Sequence, residues 1–408
     1  MWQVVKNLYH LGVAFLANIY YGFPSEGLRV IGVTGTSGKT TTTHMIYEML
    51  KSNGFRVSMI SSIHAEIGGK SYDTGFHVTT PDPENLPKYL KIAKQAGDTY
   101  FVIEVSSHAL DQNRVACINF FIGVLTTLAH EHLDYHKTFK NYAKAKFKLL
   151  LNAKHTVVPY DGIPGSVCST VSFNKILNKA VTFGLKKGDE AEEKWKFKLK
   201  MPGEFNIKNA LAAAAVGLIL NVPNQIIKGS LERFSGIPGR FEEIPNTKGF
   251  TIIIDFAHKP DALEALLNTA FDIKEKGRII VMYGCASERD VLKRPMMGRI
   301  SGRLADITVL TDEDPRFEDS DKIIAEIAEG CEEAGARLVQ SLELRIQNGE
   351  HVFFKIPNRK EAIEFIIKKL AKKGDIILLC GKGHETSMSY HGKEIPWSEH
   401  KTVLKALE

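Results

Sequence analysis

The chain has 408 residues, enough for two or three domains. With 44% hydrophobic, 9% aromatic and 25% charged residues it can build ordinary cores, which excludes disordered, collagen-like and membrane-bundle classes. A net charge of +6 suits a protein that handles anionic small molecules, and nothing in it calls for nucleic acid. Five scattered cysteines, Cys117, Cys168, Cys285, Cys331 and Cys380, build neither a disulfide framework nor a Cys-x-x-Cys zinc site. They point to a reducing, cytoplasmic compartment.

Residues 3–20 read as a helix with Val4, Leu8, Leu11, Phe15 and Ile19 on one broad face. The apolar run Leu11–Ala17 is broken by Asn18, well short of the roughly 18 residues of a spanning helix. No small-x-small cleavage pattern follows it. Packing on the body or on a partner subunit is the expected role, with a membrane surface as the alternative.

From Leu28 onward, strand-like runs at Leu28–Thr34, Val57–Ser62, Tyr100–Ser106 and Phe120–Thr126 alternate with helical patterns. Those patterns begin near Lys39, Asp82, Thr138 and Asn206. Apolar runs separated by helices predict a parallel α/β sheet. A β-rich patch is expected over Thr156–Gly184, and the charged stretch Lys186–Lys200 reads as a solvated connection. A second series has strands at Thr251–Ala257, Arg278–Gly284, Ile307–Thr311, His351–Ile356 and Asp375–Cys380. Its helices start near Pro260, Arg294, Ser320 and Asn358. Gly236, Pro238 and Gly239 punctuate the junction. The expected domains are a helical segment at 1–27, a P-loop domain with a parallel sheet at 28–235, and a Rossmann-like α/β domain at 236–408.

The most informative motif is the strand-to-helix turn Thr34-Gly35-Thr36-Ser37-Gly38-Lys39-Thr40-Thr41. Backbone N–H groups of such a loop cradle phosphate oxygens, Lys39 would reach the terminal phosphates, and the Thr40 hydroxyl would ligate magnesium. The generic pattern wants glycine at position 33, where this chain has Val33. Glu104 stands near the C-terminal edge of a strand, where α/β ligand sites lie, and could hold magnesium. His130-Glu-His-Leu-Asp-Tyr-His136 looks metal-rich, but Leu133 stands where a zinc-protease motif needs Glu. A hard Mg²⁺ suits a phosphate site better. Lys144, Lys146 and Lys148 share a predicted helix, and spacing by two cannot keep all three on one face.

Taken together these residues resemble the Mur ligase family, ATP-dependent enzymes that build the peptide of peptidoglycan, and within it the third-residue-adding MurE type. The blocks that carry the likeness occur in the family's order. They include 34–41, Thr79-Thr-Pro-Asp82, Glu104–Leu110, His132–His136, Gly203–Asn209, Gly239–Glu242, Asp255–Asp261, Lys293–Gly298, Asp314–Arg316 and Gly381–Glu385. The resemblance implies that an acceptor carboxylate is phosphorylated by ATP and the acyl phosphate is captured by an amine. It implies two Mg²⁺ ions, held by Thr40, Glu104, His132 and a CO₂-derived carbamate on Lys146, with Lys39, Lys146 and His132 catalytic. It also implies ATP contacts at Gly35–Thr41, Asn206, Asn209, Arg240 and Asp255, with the last domain closing onto the P-loop domain. Thr79, Thr80, Ser106, Gln112 and Arg114 match contacts to a muramoyl-dipeptide acceptor. Arg289, Glu313, Asp314, Pro315, Arg316, Gly381 and Glu385 match contacts to the incoming amino acid.

Where the family's diaminopimelate motif reads Asp-Asn-Pro-Arg, this chain reads Glu313-Asp-Pro-Arg316. Arg316 can still grip a distal carboxylate, which lysine lacks, while Asp314 adds a charge that would favour an ammonium. Meso-diaminopimelate is therefore the expected diamino acid, with lysine or another diamino acid second. The segment before Arg289 also departs from the family's glycine-rich form, reading Gly284-Cys-Ala-Ser-Glu-Arg289. About 27 residues precede the P-loop strand, too few for the family's uridine-nucleotide-binding domain. Weaker use of the nucleotide-linked acceptor, a different carrier or a partner protein are the three expected consequences. The competing readings are a folylpolyglutamate or poly-γ-glutamate type of ligase, and a nucleotide-binding regulatory protein without turnover.

Overall fold

Apolar stretches that lack alternation end up as strands covered on both faces, and that rule organises both halves of the chain. The computed structural model describes residues 2–72, 79–129, 131–168, 170–287, 290–340 and 349–408. The chain divides into two compact units, Met1–Ser235 and Gly236–Glu408.

In the first unit the strands are β1 (Arg29–Thr34), β2 (Val57–Ile60), β3 (Ala65–Ile67), β4 (Lys70–Tyr72), β5 (Tyr100–Glu104), β6 (Phe120–Leu125), β7 (His155–Pro159), β8 (Ala180–Gly184) and β9 (Glu190–Ala191). Among the described residues they form one sheet in the order β4-β3-β2-β5-β1-β6-β7-β8-β9. Pairing is parallel except at β3 and β4. The helices are α1 (Trp2–Tyr21), α2 (Lys39–Ser52), α3 (Asn85–Gln95), α4 (Ser107–Asp111), α5 (Leu133–His136), α6 (Phe139–Asn152), α7 (Gly165–Cys168), α8 (Val171–Leu177), α9 (Glu192–Trp195), α10 (Glu204–Ile219) and α11 (Asn224–Arg233). Val30, Phe101, Ile103, Phe120 and Leu149 share one fully covered core. Burying each such side chain contributes about 1.5–3 kcal/mol.

Two expectations fail locally. The patch at Thr156–Gly184 keeps strands only at its ends; α7 and α8 lie between them, and Thr170 caps α8 by accepting from Phe173 N at 3.3 Å. The stretch Lys186–Lys200 is not merely solvated. Trp195 is buried, and its indole donates to buried Glu190 at 2.6 Å.

The second unit has β10 (Glu242–Glu243), β11 (Thr251–Asp255), β12 (Ile279–Tyr283), β13 (Ile307–Leu310), β14 (Arg337–Leu338), β15 (Val352–Lys355) and β16 (Ile376–Cys380), in the order β10-β11-β16-β12-β13-β15-β14. Only β10 runs antiparallel among the described pairs of this sheet. A separate hairpin joins β17 (Ser387–Tyr390) to β18 (Lys393–Pro396). Helices α12 (Pro260–Ile273), α13 (Lys293–Leu304), α14 (Ser320–Glu333), α15 (Arg359–Phe365) and α16 (Glu399–Leu407) complete it, α15 continuing as a π-helical turn at Ile366–Leu370. Arg359, fully buried, is held by Glu399 at 2.5 Å and pins the strand end at Cys380 O at 2.7 Å. That end carries the residues of interest.

Candidate active site

Strand β1 stops at Thr34 and α2 starts at Lys39, so the phosphate loop spans only Gly35–Gly38. Val33 is inside the strand, fully buried and paired with Glu104 and Val124. A longer strand leaves no turn at 33 and so no need for glycine there. Gly38 has φ +81°, and a Cβ on it would lie 2.2 Å from Asn209 Oδ1, so both the turn and α10 require glycine. The β6 end fastens the loop: Thr126 Oγ1 donates to Ser37 O at 2.6 Å, and Ser37 N donates to Thr127 Oγ1 at 2.9 Å.

Two ammonium groups converge on one carbonyl. Gly35 O accepts from Lys39 Nζ at 3.1 Å and from Lys146 Nζ at 2.7 Å, and Lys39 also reaches Thr36 O at 3.1 Å. Of the three lysines spaced by two on α6, Lys146 is 1% exposed, Lys144 is exposed, and Lys148 is half-buried against Asp111 at 3.6 Å. Lys146 also lies 4.6 Å from the Tyr142 ring centre.

On the other side of the loop Thr40 Oγ1 donates to Glu104 Oε2 at 3.0 Å, Ser62 N donates to the same oxygen at 3.0 Å, and Ser62 Oγ is 3.1 Å from Thr40 Oγ1. These oxygens are the hard donors that Mg²⁺ takes. Among the described residues no three His, Cys, Asp or Glu side chains gather as a metal cage, so an ion here would be completed by phosphate and water oxygens. Tyr142 OH lies 2.8 Å from Thr36 Oγ1 and donates to Glu131 Oε2 at 3.0 Å; Glu131 Oε1 is 3.1 Å from His132 Nε2. His132 has φ +54° and stacks edge-on with His108 at 4.6 Å. Burial pushes His108 and His136 down to about 4, which leaves both imidazoles neutral at physiological pH. His130 lies outside the described residues.

Asn209 accepts from Thr42 Oγ1 at 3.3 Å beside Gly38, with Thr41 buried one residue earlier. Asn206 donates to Pro202 O at 2.8 Å, and its buried Oδ1 has no hydrogen-bond partner among the described residues. Three of the five expected acceptor residues make one network: Ser106 N donates to Thr80 Oγ1, Thr80 Oγ1 donates to Glu104 O, and Arg114 donates to Thr80 O while lying 3.5 Å from Asp82. Ser106 Oγ caps α4. Gln112 donates to Tyr135 OH at 3.4 Å, and Thr79 is half-buried beside Thr80.

In the second unit the Arg240 guanidinium covers the Phe256 ring at 4.3 Å, and Asp255 accepts from Phe241 N and Ala257 N at 2.7 Å each. Desolvation raises the Asp255 pKa against the pull of Arg240. At the end of β13, Asp314 Oδ1 is already taken by Lys382 Nζ and Ser389 N, both at 3.0 Å. Lys382 also pairs with Glu385 at 2.5 Å. Burial opposes its charge, but Glu385 and Asp314 outweigh burial and raise its pKa. The charge expected of Asp314 toward an ammonium is therefore neutralised internally. Glu313 differs: its Oε2 is buried with no hydrogen-bond partner among the described residues. Burial raises its pKa. Gly381, at φ +101°, keeps space open, since a Cβ there would stand 3.1 Å from Glu313 Oε2. Pro315 is buried, and Arg316 has φ +48°, with its backbone pinned by Ser389 O and His391 N. Arg289 lies outside the described residues. Sequence reasoning passed over Tyr142, Ser62 and Lys382. Only Lys382 left a signal, standing between two chosen residues.

A glycine–lysine–threonine phosphate loop on a parallel sheet, followed by a second parallel α/β unit, defines a two-unit nucleotide-using enzyme fold. Residues 33–217 match the Mur ligase middle domain and residues 239–383 match the Mur ligase glutamate ligase domain. The chain is 34% identical over 417 residues to the UDP-N-acetylmuramoyl-L-alanyl-D-glutamate–2,6-diaminopimelate ligase of Clostridium botulinum, covering 97% of this chain and 81% of that one. It is 37% identical to the ligase of the same name from Alkaliphilus metalliredigens, covering 95% and 78%. A solved structure of a ligase of that name superposes with a TM-score of 0.59 at 27% identity, over 93% and 78% of the two chains. Escherichia coli FolC in complex with DHPP and ADP shares the fold, with a TM-score of 0.67 at 17% identity over 91% and 90%. The chain belongs to the Mur ligase family.

Proposed function

We propose that this chain is an ATP-dependent, ADP-forming ligase of peptidoglycan synthesis that joins 2,6-diaminopimelate to the D-glutamyl carboxylate of a muramoyl-dipeptide acceptor. The observation that carries the reading is the convergence of Lys39 and Lys146 on Gly35 O beside the Thr40–Glu104 pair, in a chain whose relatives bear that ligase name. The acceptor carboxylate oxygen attacks the γ-phosphorus of ATP and ADP leaves, giving an acyl phosphate. The amine then attacks the acyl carbon, phosphate leaves with the C–O electrons, and the amine loses a proton. Lys39 offsets charge on the transferred phosphoryl group, and the loop N–H groups orient it. Thr40 and Glu104 would hold one Mg²⁺, and His132 with a carbamate on Lys146 a second; when bound, the ions supply charge neutralisation. Two ammoniums on one carbonyl repel, and a CO₂ adduct on Lys146 removes that repulsion while creating an oxygen ligand. Asn206, Asn209, Arg240 and Asp255 bind the nucleotide. Thr79, Thr80, Ser106, Gln112 and Arg114 serve the acceptor.

For the amino acid, Glu313 receives an ammonium and Arg316 a carboxylate, which together favour diaminopimelate over lysine. Arg289, Gly381 and Glu385 complete that site. The reaction takes place in the cytoplasm, where ATP is available. No described helix is long and apolar enough to cross a membrane. Helix α1 takes no part in the chemistry and serves a membrane surface or a protein partner. The test is ADP release with dipeptide acceptors, nucleotide-linked and unlinked, against a panel of amino acids, with products read by mass spectrometry. Release that needs both substrates, fastest with diaminopimelate, is expected. ATP binding without turnover would replace the ligase with a regulator.

A further inference from the structure

Helix α1 is turned inside out. Its polar and small residues face the first unit: Gln3 donates to Tyr135 OH at 2.7 Å, Asn7 to Asp111 at 3.4 Å, and Ala14 and Asn18 are buried. Its large apolar residues face away, with Val4 70%, Leu8 67%, Leu16 66%, Ile19 50% and Tyr20 79% exposed. A helix packed only for folding would show the opposite order.

The exposed arc is wide. At about 100° per residue the outward positions from Leu11 to Tyr20 sweep about 180° of the helix. A second helix would cover a narrower seam, whereas a fluid apolar medium covers the whole arc. The charges fit such a medium with an anionic face. Helix α1 has Lys6 and no acidic residue, and the adjoining α3 has Lys88, Lys91 and Lys94, again without an acid. Lys91 lies 5.7 Å from the Tyr21 ring centre, which ties the two helices into one face. Glu26 and Glu84 fall beyond the helix ends.

We infer that α1 lies in the plane of a bilayer surface that contains anionic lipid, with its apolar arc in the acyl boundary and the α3 lysines at the headgroups. It does not span the bilayer.

The test is flotation of the full chain with phosphatidylcholine vesicles, with and without phosphatidylglycerol. Binding is expected with the anionic vesicles and should weaken as salt is raised. Leu8 and Leu16 are exposed, so the double variant Leu8→Glu/Leu16→Glu keeps the fold and the ADP-release rate. It should lower the vesicle partition at least about tenfold. Lys88→Gln with Lys94→Gln should remove only the anionic preference. No flotation by the parent chain overturns the inference, as does flotation indifferent to the double variant. A concentration-dependent dimer that the same variant abolishes, without flotation, makes a second copy the occupant and likewise overturns it. Flotation reads no turnover, so its outcome is separate from that of the ligase reading.

Discussion

The two units hold the charged side chains of their candidate ligand sites with different kinds of partner. In the first, Lys39 and Lys146 are held by backbone carbonyls, the partners that an incoming polyanion can most readily supplement. In the second, Lys382 already has Asp314 and Glu385, and among the described residues one buried carboxylate oxygen of Glu313 has no hydrogen-bond partner. One site is arranged to receive negative charge, the other positive. A reaction that joins an activated acid to an amine needs both.

The sharpest way to break this contrast is Lys39→Ala, which should lower ADP release by about 10²–10³-fold while leaving the KM for the amino acid unchanged. A coupled ADP assay reads it, and a loss below tenfold would mean that the loop cation is not the phosphate receptor. Lys146→Ala should cost about 10²-fold, with part of the rate restored by added short carboxylic acids that take the carbamate's place. Absence of rescue would leave Lys146 a plain cation. In the second unit Glu313→Gln should raise the KM for diaminopimelate about 10–100-fold, the range of a lost charge-assisted hydrogen bond, with kcat and the KM for ATP little changed. An unchanged KM would move the ammonium receptor elsewhere.

The smallest effect concerns the neutral rim of the first site. Below about 6.5 the unfolded chain takes up protons that native His108 and His136 refuse until about 4. Stability should therefore fall as pH drops through that window and hold above it. Melting temperatures at graded pH check this, and His108→Gln should flatten the slope.

Much of the architecture was legible because both sheets are built from unbroken apolar runs. The strands at β1, β5, β6, β11, β12, β13 and β16 stand where those runs stand. What escaped was local and polar. A capping Thr170 turned an apparent β patch into helices, and Trp195 drew a charged stretch against the body, because one hydrogen bond or one indole outweighs a composition average. At the proposed amino-acid site the sequence marked Asp314 as the new charge. Only packing assigned Lys382 to it and left Glu313 with a buried oxygen that has no hydrogen-bond partner among the described residues.

Periodicity alone read 3–20 as a helix with one broad apolar face and showed that three lysines spaced by two cannot share a face. Which face of α1 meets the body, and which lysine is buried, came from tertiary contacts: Tyr135 and Asp111 offered partners to Gln3 and Asn7, and Gly35 O offered one to Lys146. A helical repeat fixes angles between side chains but not the helix's rotation about its own axis. That rotation is set by the neighbour that satisfies the polar groups.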